Sequence, residues 1–216
     1  LCYTSRLMAA KCPLCNTRAA KRRCPAKATK ICPVCCGTKR EVEIDCPSDC
    51  TYLQTGRSFE SERRPSRRAP RAGRQFDEQF LHRHAQVIAT LARVIVEERN
   101  RTPNVVDQDA AEAYQALKST LNTLSSGLYY ETTPENNVVA ASLFGRMKTV
   151  FDEMIQPQQD GPSLKVTEAL DVVDFMIATA EFHSSGRPKS RKYLDWLATM
   201  VPAAEKQEEG SGLIVP

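Results

Sequence analysis

The sequence predicts a mostly α protein. A small cysteine-rich module over residues 8–55 is joined by a basic linker, residues 56–74, to an all-α bundle of about five helices, residues 75–202, with a loose tail over 203–216. Three observations carry this division. Eight of the nine cysteines fall between Cys12 and Cys50, and none follows Cys50. From Gln75 onward apolar residues recur at three, four and seven positions, the period of an amphipathic helix. Charge divides at the same place: residues 1–74 carry 17 Lys+Arg against 6 Asp+Glu, whereas residues 75–216 carry 13 against 20.

Met8-Ala9-Ala10-Lys11-Cys12 reads as a translation start, which sets residues 1–7, Cys2 included, upstream of the module. The alternative is that Cys2 replaces one of the eight clustered thiols. Residues 56–74 hold seven Arg, two Glu, Pro and Ser with little apolar surface, and are expected to be an unstructured connection. The first bundle helix is expected from Gln75 to about Arg99, with Phe76, Phe80, Val87, Leu91, Val94 and Ile95 on its apolar face. A second spans about Asp107 to Ser126, and Gly127 suits the left-handed position after its end. A third starts with Thr133 as N-cap and Pro134 in its first turn, and stops before Pro157. A fourth runs from about Ser163 to His183, and a short fifth begins near Pro188 and carries Tyr193, Leu194, Trp196 and Leu197. Ala113, Tyr114, Tyr129 and Pro134 faintly echo a helix-pair repeat, but no second copy supports it, and a plain bundle is the simpler reading.

The cysteines run Cys12-Pro-Leu-Cys15, Cys24, Cys32-Pro-Val-Cys35-Cys36 and Cys46-Pro-Ser-Asp-Cys50. Two tetrahedral four-cysteine zinc sites need this number of thiols, and a two-residue gap lets both sulfurs of a turn reach one ion. The expected cofactor is therefore two zinc ions. Redox couples, an iron–sulfur cluster, a single zinc with spare thiols and, in a secreted protein, disulfides are the competing readings. Between Cys12 and Cys50 the large apolar residues are Leu14, Ile31, Val34, Val42 and Ile44, too few for a core without metal. Residues 40–45 alternate enough to form a short strand with Val42 and Ile44 on one face.

The spacing Cys12-x2-Cys15-x8-Cys24-x7-Cys32-x2-Cys35 resembles the cross-brace zinc modules of the B-box and HIT-finger kind. In those modules the first and third ligand pairs share one ion. The resemblance implies that Cys12, Cys15, Cys32 and Cys35 hold one zinc. The expected partner of Cys24 is Lys27, which departs from the pattern, and Cys36 is spare, so Cys24, Cys36, Cys46 and Cys50 are assigned to the second. The alternative is sequential: Cys12, Cys15, Cys24 and Cys32, then Cys35, Cys36, Cys46 and Cys50.

Lys21, Arg22, Arg23, Lys27 and Lys30 cluster between the knuckles, and Arg63, Arg64, Arg67 and Arg68 continue the basic run into the linker. Such runs neutralise phosphates, with strong salt dependence. Yet Met8 to Cys50 carries 9 Lys+Arg against 4 Asp+Glu, a net +5 that nearly cancels two four-thiolate zinc sites. Four-cysteine sites are closed and structural, and none of the familiar catalytic signatures occurs. His82 and His84 sit two apart on a helix and point to different sides. No apolar run is long enough to span a bilayer, and no secretory leader is read. The sequence thus predicts a non-enzymatic, cytoplasmic zinc-finger adaptor that binds a protein partner. The alternative is a regulatory nucleic-acid-binding protein, with Lys21, Arg22, Arg23, Arg63, Arg64, Arg67 and Arg68 on phosphates.

Overall fold

Helices dominate the chain, and the only sheet among the described residues has two short strands. The computed structural model describes residues 10–63, 76–156 and 163–201. In the module, β1 (Arg22–Cys24) pairs antiparallel with β2 (Thr29–Ile31), Arg22 opposite Ile31 and Arg23 opposite Lys30. The tight turn between them ends at Ala28, whose φ of 50° lies in the left-handed region. Helix α1 (Pro33–Thr38) has Pro33 in its first turn, and the Cys32 sulfur caps it by accepting the Cys35 amide at 3.3 Å. Helix α2 (Thr51–Arg63) follows, and its Leu53 packs with Ile31, Ile44 and the cysteines in a small core.

Two expectations for this half need correction. Residues 56–63 of the expected linker are helical, because α2 is anchored rather than free: Leu53 is buried, and Arg57 and Glu60 form ion pairs. Residues 40–45 do not make a strand. The amides of Val42, Glu43 and Ile44 all converge on the Lys39 carbonyl at 2.9–3.3 Å, closing a turn that buries Ile44 and exposes Val42.

The bundle comprises α3 (Glu78–Arg101), α4 (Asp107–Ser125), α5 (Val138–Ile155), α6 (Val166–His183) and α7 (Lys192–Met200). Helix α4 is central and packs on both α5 and α6, and α3 closes over α5 and α7. Their shared core includes Leu91, Ile95, Tyr114, Leu117, Phe144 and Met147. Asp77 caps α3 by accepting the Phe80 amide at 2.7 Å. Gly127 follows α4 with φ of 78°, as its sequence position requires.

Helix α5 starts later than expected. Asn137, not Thr133, is its N-cap: the Asn137 carbonyl accepts the Ala140 amide at 3.1 Å, and its NH2 donates to Asp109 and Glu112 of α4 at 2.8 Å. This tertiary anchor overrides the local Thr-Pro signal. Helices α6 and α7 also begin a few residues late. For α7 the cause is Asp107, buried at the start of α4, whose carboxylate accepts the Tyr193 and Leu194 amides at 3.1 and 3.2 Å and the Ser190 hydroxyl at 2.6 Å.

In the core the Tyr114 and Tyr193 hydroxyls meet at 2.8 Å, both side chains wholly buried. Tyr114→Phe should leave the Tyr193 hydroxyl without this partner and lower unfolding stability by about 1–2 kcal/mol. The urea midpoint should fall with an unchanged denaturant slope.

Candidate metal centre and its seat on the bundle

Two knuckles bring Cys12, Cys15, Cys32 and Cys35 together, with all four sulfurs within 4.8 Å of one another. The first knuckle closes through the Cys15 and Asn16 amides on the Cys12 carbonyl, and Asn16 takes a left-handed φ of 52° to turn the chain back. The second is the capped start of α1. The Cys15 and Cys32 sulfurs lie 3.9 Å apart. A zinc–sulfur bond of about 2.3 Å gives tetrahedron edges of about 3.8 Å, so these donors fit a four-thiolate ion. All eight cysteines from Cys12 to Cys50 are free thiols. This first group is the one the interleaved reading assigns; the sequential grouping would need Cys24 where Cys35 sits.

The thiols do not ionise alike. Cys15 is drawn down to about 5, first by a hydrogen bond from the Thr17 hydroxyl, then by the Arg18 and Thr17 amides. Burial opposes ionisation of Cys12, but hydrogen bonds from the backbone at Cys32, Leu14 and Cys15 outweigh it. Cys35 is pushed up to about 12 by burial and by the crowding of the other three sulfurs. One sulfur is thus ready to ionise while a neighbour retains its proton, and a divalent cation would displace the remaining protons.

Cys24, Cys36, Cys46 and Cys50 do not form so tight a group. Instead all four line one cavity of about 10 Å³, room for about one small sphere, closed by Ile31, Ile44 and Leu53. Burial raises the Cys46 thiol, and the Cys50 and Cys24 sulfurs are close enough to raise it further. Successive residues of α1 point about 100° apart. Cys35 therefore serves the first group while Cys36 faces this cavity.

The basic candidates separate. Lys21 and Arg23 are exposed, as are Lys27 and Lys30, and Arg23 stands opposite Lys30 in the hairpin. Arg22 turns inward, its guanidinium 4.9 Å above the Tyr52 ring. Arg63 ends α2 and lies over Phe59 at 4.2 Å. Arg64, Arg67 and Arg68 lie outside the described residues. No helix among the described residues is long and apolar enough to cross a membrane.

Sequence reasoning did not single out the seat of the module on the bundle. Glu41, 1% exposed and held at a left-handed φ of 55°, accepts from Arg57 at 2.7 Å and pairs with Arg187. Its carbonyl accepts the Lys189 amide at 2.8 Å. Arg191 donates to Asp45 at 2.5 Å and to the Cys46 carbonyl at 3.4 Å, while its Nε holds the Val105 carbonyl at 2.9 Å. Asp195 accepts from Ser48 at 2.8 Å, Arg57 at 2.7 Å and Arg99 at 2.6 Å. Burial works against the Asp195 carboxylate, yet these donors hold it below its ordinary range. The basic run Arg187-Pro188-Lys189-Ser190-Arg191-Lys192, set in an acidic half, was the available signal.

Comparison with protein-family models, with curated proteins and with solved structures finds no match for this chain.

Proposed function

We propose that the chain is a non-catalytic interaction protein, a zinc-folded finger on a helical platform that binds a protein partner. The closed group of Cys12, Cys15, Cys32 and Cys35 carries this reading. It offers four sulfurs and no position for a reacting water, the mark of a structural site. The single cavity shared by Cys24, Cys36, Cys46 and Cys50 supports a second zinc. Zinc rather than a harder ion follows from thiolate softness. Elemental analysis of protein purified under reducing conditions without chelator should give two zinc ions per chain; one or none overturns the two-centre reading.

A second reading, nucleic-acid binding, has one observation in its favour. Four acids between residues 41 and 60 are paired inward or with neighbours: Glu41 with Arg57 and Arg187, Asp45 with Arg191, Glu60 with Arg187, Glu43 with Lys39. Lys21, Arg23 and Lys30 stay exposed on the hairpin's outer side. Nucleic-acid retention that falls steeply with salt would favour this second reading. Little retention at about 0.15 M salt favours the protein adaptor.

A further inference from the structure

We propose that the second metal centre is the lock between module and bundle: occupancy of the Cys24, Cys36, Cys46 and Cys50 site is coupled to seating of the module on α7 and the segment 187–191 before it, while the Cys12 site is not. The proposal rests on the second-zinc reading above.

The asymmetry is in the contacts. The hydrogen bonds and ion pairs that seat the module start from residues 41–60, and none of those named above starts from residues 10–38. Cys46 and Cys50 lie inside that contact segment. The Cys46 carbonyl itself accepts Arg191, Asp45 beside it pairs with the same guanidinium, and Ser48, between the two cysteines, donates to Asp195. Cys50 leads directly into α2, whose Arg57 bridges Glu41 and Asp195. A cation drawing Cys46 and Cys50 onto Cys24 and Cys36 fixes the segment that presents these partners. Without the cation, the segment is tethered by Ile44 and Leu53 alone among its large apolar side chains. The seat is made of directional, charge-assisted bonds, so small displacements break it. The first group instead fixes the two knuckles, whose residues supply none of the bonds of the seat named above.

Linkage makes the effect reciprocal: if the metal favours seating, seating favours the metal by the same factor. Arg191 touches no sulfur and belongs to the bundle, so its replacement tests the coupling without altering a ligand. Cobalt(II) titration of the full chain against a competing chelator reads both centres. Wild type should take up two equivalents. Arg191→Ala should weaken one of them about tenfold and leave the other unchanged. In a Cys36→Ser background, where the first centre alone remains, Arg191→Ala should change nothing. Should Arg191→Ala fail to fold, Asp195→Asn, which keeps shape and removes charge, takes its place with the same readout. Two equivalents with unaltered affinities overturn the lock and leave the two-zinc reading standing. A loss that persists in the Cys36→Ser background also overturns it. A single equivalent in wild type overturns both.

Discussion

Cys32→Ser should remove the first metal equivalent and unfold the two knuckles it joins, while the second equivalent and the helical signal of α3–α7 remain. The effect is large because the module has little else to fold on: apart from sulfurs its buried core is Ile31, Ile44 and Leu53. Structural zinc supplies roughly 10–16 kcal/mol of apparent binding energy in finger peptides, most of what such a small domain needs. Cys32 also caps α1, so its loss removes a ligand and a helix start together. Cys36→Ser should spare that equivalent and remove the other, because Cys36 faces the cavity shared with Cys46 and Cys50. Cobalt(II) uptake counts the equivalents, and far-UV circular dichroism reads the helices. The bundle has its own core, separate from the module's, which is why its signal should persist. Collapse of the whole helical signal after chelation would show that the bundle cannot stand without the metal.

Asp195→Ala should cost about 3 kcal/mol, the price of leaving partly buried charges unpaired. Three donors converge on this carboxylate; Arg57 would keep Glu41, but Arg99 would lose the ion pair named above, and both guanidinium groups already carry a buried Nε without a partner. Acid should reproduce the loss. Asp195 has a native value depressed below its ordinary 3.8, so its contribution is present above the unfolded value and disappears as pH falls through the lower native one. Stability of wild type should therefore drop more steeply than that of Asp195→Ala on acidification below about pH 4. Parallel curves for the two proteins would sink this account.

What could be read from the chain follows from how local each signal is. The bundle helices announce themselves through apolar period, and Gly127 through the conformation that glycine alone adopts freely. The cysteine knuckles are equally local, since two sulfurs of one turn must face one ion. Start positions failed where a distant residue decided them. Asn137 outcompetes Thr133 because it also reaches Asp109 and Glu112, and Asp107 sets the start of α7. Helix α2 was hidden because its Arg and Ser composition reads as a linker, while its order comes from Glu41, Asp195 and Arg187, none of them its own neighbours in sequence. The left-handed Glu41 carries no compositional mark at all.

The seat also fixes an order of assembly. Asp45–Arg191 and Ser48–Asp195 join positions 146 and 147 residues apart. Closing a loop of that length costs about 4 kcal/mol of chain entropy before any contact forms. The helix pairs around α4 are near neighbours in sequence and close first. On a ribosome the finger emerges well before the arginines and the aspartate that receive it. The nascent finger must therefore wait, exposed and metal-dependent, until residues 187–195 have emerged, and docking follows the pairing of the bundle helices.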